Sequence, residues 1–287
     1  MHDFLDSAAM TRPMSAPPVD QAHGLRRLFN AGGQGATRFI AVAANAEVAF
    51  AGLALERLAA ACAGLVGKGR RVLVVDAAAS AASPHEMAAL DLAACIESLD
   101  AEMPQLCYLA ARGLPLRHVD ARGSCAGFLD ALAAAAPDVA VVIVHAEATE
   151  LGRLFQRRDI RPLLMAADHP SSVTSAYANL KHLSQRHGWM AFDLLLVAAA
   201  SSPRTPRIAE QLTATAERFA GAVLHDWAVV DPAAEPDDSA AGDGGAALGR
   251  LLAAQMLLCD DTGQAPHAAP GAAAARARSH ERIRAPN

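Results

Sequence analysis

Aromatic residues are scarce in this chain: two Trp, two Tyr and eight Phe, or 4% of 287 residues. That scarcity excludes the stacked aromatic platforms that hold single-stranded nucleic acid. An excess of positive charge is missing too. The formal net charge is −5, the wrong sign for a general nucleic-acid binder, so no nucleic acid is expected among its partners. The five cysteines, Cys62, Cys95, Cys107, Cys125 and Cys259, are odd in number and include no Cys-x-x-Cys pair. They read as reduced, small core residues of a cytoplasmic protein. The eleven histidines show no His-x-x-x-His or His-Glu-x-x-His spacing, so no metal is expected. No apolar run reaches the roughly 18 residues of a membrane span. The strongest runs, Val139–Val144 and Leu194–Ala200, are of strand length. The N-terminus has no basic stretch followed by an apolar one, and no signal peptide is expected.

Hydrophobic residues reach 53%, largely through alanine. The length suits one large α/β domain with tails, or two small domains. Between residues 37 and 232, short β-rich apolar runs alternate with helical patterns. Strands are expected at 38–43, 71–75, 106–109, 139–144, 163–167, 194–198 and 223–229. Helices are expected at 47–66, 84–99, 124–135, 171–187 and 205–219. Apolar strands alternating with helices predict a doubly wound, mostly parallel sheet of the α/β class. Residues 1–18 read as disordered and 233–245 as a linker rich in Pro, Gly and Asp. Leu248, Leu251, Leu252, Met256 and Cys259 mark an amphipathic helix over 246–259, and 260–287 forms a low-complexity, arginine-bearing tail.

Residues 19–30 form a further short amphipathic helix pattern. Asp20 stands at its start, where a carboxylate accepts the free N–H groups of the first turn. Ala22, Leu25, Leu28 and Phe29 make one apolar face, flanked by Gln21, Arg26 and Arg27. Prolines precede it and Gly32-Gly33-Gln34-Gly35 follows, a setting that suits docking on another protein. From these residues alone, packing on its own domain serves equally well. The segment resembles the Asp-Gln-Ala-x-x-Leu-Arg motif at the N-terminus of the FlhG (FleN) family, MinD/ParA-like regulators of bacterial flagellar number. The motif is complete here as Asp20, Gln21, Ala22, Leu25 and Arg26. A second stretch, Asp168-His-Pro-Ser-Ser-Val-Thr-Ser-Ala-Tyr-Ala-Asn-Leu-Lys181, resembles another FlhG segment and stays in register through Gly188. Within it Ser171 or Ser172 is expected to cap the following helix, and Tyr177 to be a packing residue. The resemblance covers roughly residues 20–230.

What the resemblance implies for ATP is loss. In MinD-like ATPases the first strand–helix turn is a P-loop with glycines, two lysines and a hydroxyl residue around phosphate and Mg²⁺. Here the early signature lysine becomes Ala46, the main lysine Ala51 and the hydroxyl residue Gly52. The glycines become Asn45, Glu47, Val48 and Phe50. The second motif, a strand ending in Asp-Ala-Asp, keeps Asp76 but has Ala78. The third, a strand ending in an aspartate for Mg²⁺, ends in His145, and the base-reading asparagine falls among Val197, Ala198 and Ala199. The resemblance therefore implies a P-loop NTPase fold whose P-loop is lost, with no ATP or Mg²⁺ cofactor and no catalytic residue.

The expected function is regulation of flagellar number or placement by a pseudo-ATPase, acting through its N-terminal arm on an FlhF-like GTPase of the signal-recognition type. Flagellar basal-body or regulator proteins are further expected partners. The alternatives are a nucleotide-binding MinD/ParA-type regulator and a pseudo-ATPase adaptor for another polar machine. The 246–259 helix either packs on the domain or touches lipid weakly, since Arg250 is its one cation. Lipid contact would place the protein at the inner membrane or pole. His182 and His187 read as surface residues, and Arg157, Arg158 and Arg161 with Asp159 as a salt-bridged surface loop.

Overall fold

The computed structural model describes residues 37–66, 70–100, 106–234 and 243–261. The disordered N-terminus expected over 1–18, the arm at 19–30, the linker from 235 to 242 and the tail from 262 lie outside the described residues.

Seven strands form one sheet: β1 (Arg38–Ala43), β2 (Arg71–Asp76), β3 (Leu106–Ala110), β4 (Val139–Ala146), β5 (Leu163–Ala167), β6 (Ala191–Val197) and β7 (Val223–Val230). Their order is β3-β2-β4-β1-β5-β6-β7, and every pairing is parallel. Strands β2, β4 and β5 are buried at every position. That is why they read as continuous apolar runs rather than as alternating ones. The covering helices are α1 (Ala51–Val66), α2 (Glu86–Leu90), α3 (Leu92–Asp100), α4 (Ala126–Ala135), α5 (Ala148–Leu154), α6 (Pro170–His187), α7 (Thr205–Ala220) and α8 (Asp243–Asp261). Helices α1 and α8 pack on the face carrying Ile40, Val42, Val72, Val74 and Ile143. Helices α2 to α7 pack on the other, against Phe39, Leu73, Val75, Val142 and Val144. The molecule is an α/β domain with a doubly wound, all-parallel sheet among the described strands.

Local chemistry moved several boundaries. The helix expected from 47 begins at Ala51, because 44–50 are needed as a loop. The helix expected over 84–99 is two. Asp91 ends α2 in an extended conformation (φ −144°), and its carboxylate accepts the Ala94 N–H at 3.0 Å, which starts α3 as an N-cap. Helix α5 escaped the periodicity because it is seven residues long and contains Gly152. Helix α6 is capped by His169, whose Nδ1 accepts the Ser172 N–H at 3.4 Å, and not by Ser171 or Ser172. It ends at Gly188, whose left-handed φ of 70° suits a residue without Cβ.

The C-terminal helix runs from 243, inside the expected linker, to 261, beyond the expected 259. Its apolar stripe, Leu248, Leu251, Leu252 and Met256, is buried against the sheet face it shares with α1. A fully buried Leu contributes roughly 1.5–3 kcal/mol, so this stripe docks the helix. Polar bonds fix its position. Gln255 Nε2 donates to the Arg161 carbonyl and to Asp193 Oδ2, both at 2.7 Å, and Arg161 Nε donates to the same oxygen at 2.8 Å. Burial pushes the Asp193 carboxyl upward, against the lowering effect of Arg161 and Gln255. Arg161 therefore belongs to a buried network, not to a surface loop. Arg157 and Arg158 do pair on the surface, but with Asp120 and Asp130 rather than Asp159. Among the described residues, no helix is long and apolar enough to cross a membrane.

Candidate functional site

In open parallel sheets, ligands bind outside the carboxyl ends of the strands, where neighbouring connections leave in opposite directions. Here β1 and β4 are neighbours, and their connections lead to β2 on one side and β5 on the other. The residues implied for phosphate and Mg²⁺ converge on this crevice. The β1–α1 loop carries Asn45 to Phe50, Asp76 ends β2, and His145 lies beside both Asp76 and Val42 in the strand register.

The loop is closed on itself and on α6. Asn45 is buried, and its Nδ2 donates to the Met165 carbonyl (2.8 Å), the Ser172 carbonyl (3.0 Å) and Ser172 Oγ (3.1 Å). Its Oδ1 accepts the Glu47 N–H at 3.1 Å, and its carbonyl accepts the Val48 N–H at 3.0 Å. Ser172 Oγ also accepts the Ala167 N–H at 2.8 Å. Asn179 Nδ2 donates to the Ala44 carbonyl (2.8 Å), and His169 Nε2 to the Glu47 carbonyl (3.0 Å). One amide thus ties β1, β5 and α6 together; its oxygen and the Asn45 main-chain carbonyl each satisfy one loop N–H group that a phosphate cradle would leave free. The loop also holds one residue in an unusual backbone conformation. Phe50 has φ +60°, a left-handed conformation costly for a side chain of this size, at a position the resemblance assigns to glycine. Its ring is 67% exposed.

Beside the loop, Asp76 and His145 are both buried. His145 Nδ1 donates to Asp76 Oδ1 at 2.8 Å, Tyr108 Oη donates to Asp76 Oδ2 at 2.5 Å, and the Ala78 N–H reaches Oδ1 at 3.2 Å. Burial alone would raise the Asp76 carboxyl. The bonds from His145 and Tyr108 outweigh it and hold the group below its usual range. The Tyr108 hydroxyl is pushed upward by burial and by the neighbouring carboxylate. Asp76 is thus occupied by protein donors, and an imidazole stands where a Mg²⁺ ligand would carry negative charge. Ala46, Ala51 and Gly52 supply no cation or hydroxyl. Glu47 is exposed, so its charge stands at the mouth of the crevice. These residues do not fit a Mg²⁺–triphosphate group.

The structure brings together Asn45, Ala46, Glu47, Ala51, Gly52, Asp76, Ala78 and His145, while Asp20 to Phe29 lie outside the described residues. Sequence reasoning missed Tyr108, His169 and Asn179. Tyr108 was visible as the polar-tipped residue of an otherwise apolar edge strand, and the other two belong to the 168–181 stretch. Tyr177 packs against the core as expected. His187 does not lie free on the surface: its ring covers Gly152, where an added Cβ would stand 2.1 Å from Nε2. The cysteines Cys62, Cys95, Cys107 and Cys125 are buried thiols, and burial pushes the Cys62 thiol up to about 12. Among the described residues, no cluster of His, Cys, Asp or Glu is arranged to hold a metal. A cavity of about 500 Å³ lies beside the ends of β6 and β7, bordered by Arg57, Ser202, Trp227, Asp231 and Arg250.

No protein-family model matches this chain, and no curated protein does. Among solved structures it is similar to a ParA family ATPase from Chlorobium tepidum TLS. The identity is 14%, the match covers 79% of this chain and 96% of that one, and the TM-score is 0.44.

Proposed function

We propose that this chain is a MinD/ParA-type regulator that has abandoned ATP chemistry and serves flagellar number or placement in the manner of FlhG. Its arm, residues 19–30, docks on an FlhF-like GTPase. The observation that carries the reading is the closed β1–α1 loop. Asn45 fills the turn where phosphate would be held, and Asp76 is bonded to His145 and Tyr108. A domain with that loop keeps the architecture of a nucleotide switch without the switch, which leaves partner contact as its role. The complete Asp20-Gln21-Ala22-x-x-Leu25-Arg26 motif supports the choice of partner. On the arm, Leu25 anchors the apolar face, Arg26 pairs with acceptors on the partner, and Gln21 orients water or charge in the GTPase site.

A peptide of residues 15–31 tests this with an FlhF-like GTPase in single-turnover GTP hydrolysis. The wild-type peptide binds and accelerates hydrolysis. Leu25→Ala removes roughly 1.5–3 kcal/mol of apolar burial and weakens binding about tenfold or more. Gln21→Ala leaves binding nearly intact and lowers the stimulated rate, because its contribution is made in the transition state. A wild-type peptide that neither binds nor stimulates refutes the assignment.

A second reading, a nucleotide-binding regulator, is favoured by one observation, the cavity beside β6 and β7. That cavity offers space near the strand ends, while the β1–α1 loop offers no phosphate grip. Titration calorimetry with ATP and Mg²⁺ separates the two readings.

A further inference from the structure

A groove of about 570 Å³ runs between the N-terminal halves of α6 and α7, open to solvent. Val173 and Ile208 form its apolar floor, and Thr174, Gln211, Arg204 and Arg207 form its rim. Both arginines are exposed. Four described arginines meet carboxylates: Arg71 with Asp138, Arg157 with Asp120, Arg158 with Asp130 and Arg161 with Asp193. The two in the groove do not. Arg204 Nη1 reaches only the main-chain carbonyl of Asp168, at 3.4 Å. No ion pair involves Arg207 among the described residues. The one carboxylate lining the groove, Asp168, accepts the Ser202 hydroxyl at 2.8 Å. Neither helix has an acidic residue in its first turn to offset the positive end of its dipole.

An apolar floor under an unneutralised cationic rim selects its occupant by chemistry. Two arginines are too few for a duplex or a lipid surface, which need a broad basic stripe. We propose that the α6–α7 groove docks an acidic peptide segment of a partner protein. An aliphatic or aromatic side chain sits on Val173 and Ile208, and flanking carboxylates pair with Arg204 and Arg207. The site is separate from the N-terminal arm and stands whether or not the arm engages a GTPase.

The test is selection from a random 12-residue peptide display library on the immobilised full-length chain, followed by anisotropy with the enriched peptides. Enriched sequences carry Asp or Glu on both sides of a large apolar residue. The paired variant Arg204→Glu/Arg207→Glu weakens them about tenfold or more through charge repulsion. The milder Arg204→Ala/Arg207→Ala pair weakens them less, and Arg186→Glu, at the far end of α6, has no effect. Circular dichroism of each variant reports retained folding. Several outcomes overturn the proposal: no acidic enrichment, equal binding to the charge-reversed pair, or complete displacement by excess inorganic phosphate, which marks a simple anion site.

Discussion

Replacing Asn45 with alanine removes the amide that closes the β1–α1 loop. Two amide hydrogens serve three acceptors, Met165 O, Ser172 O and Ser172 Oγ, so one hydrogen is shared. The oxygen accepts the Glu47 N–H. The variant therefore loses about three hydrogen bonds in a buried setting, each with a net contribution of about 1 kcal/mol, so the destabilisation is about 2–4 kcal/mol. In a domain of this size that corresponds to a melting temperature lower by about 10 °C. Urea denaturation reads it as a lower midpoint with an unchanged slope, since the surface exposed on unfolding is the same. Asn45→Asp is the sharper variant. It keeps an acceptor for Glu47 but sets a carboxylate against the Met165 and Ser172 carbonyls, and it destabilises more than alanine does. A loss below about 0.5 kcal/mol for alanine, or an aspartate variant as stable as wild type, refutes the inferred role of Asn45.

Titration with ATP and Mg²⁺ is flat to millimolar, and light scattering detects no ATP-induced dimer; micromolar binding would restore the nucleotide-switch reading. The Asp76 carboxyl lies below its unfolded value of about 3.9, so its stabilising contribution is complete above that pH and is lost as pH falls through the folded value. The stability gap between wild type and Asp76→Asn therefore shrinks below about pH 4. Tyr108→Phe costs roughly 1 kcal/mol at neutral pH and moves the acid loss upward, as urea melts across the acid range report. Gly152→Ala drives a methyl into the His187 ring and costs roughly 1–3 kcal/mol. His187→Ala in the same chain relieves most of the clash, so a double-mutant cycle that comes out additive would count against that contact.

The α/β class, the seven strands and most of the helices follow from the sequence, most clearly where strands buried on both faces leave continuous apolar runs, as in β2, β4 and β5. Residues 139–144 and 163–167 are legible for that reason alone, while the structure carries the first of these strands on to Ala146. The chemistry of the β1–α1 turn is equally a sequence property in one respect, since Ala46, Ala51 and Gly52 carry no charge or hydroxyl wherever they stand. The contacts that hold the turn are not. Asn45 meets Met165 and Ser172 across separations of 120 and 127 residues, and Asp76 meets His145 through a register that exists only once β2 and β4 pair. The same holds for Gln255 on Asp193, which turned an ambiguous amphipathic helix into one docked on the domain. Periodicity reports that a face is apolar, and local composition reports which groups are missing. Which surface meets that face, and which donor satisfies a buried carboxylate or carbonyl, is decided by long-range contacts that form only in the folded sheet.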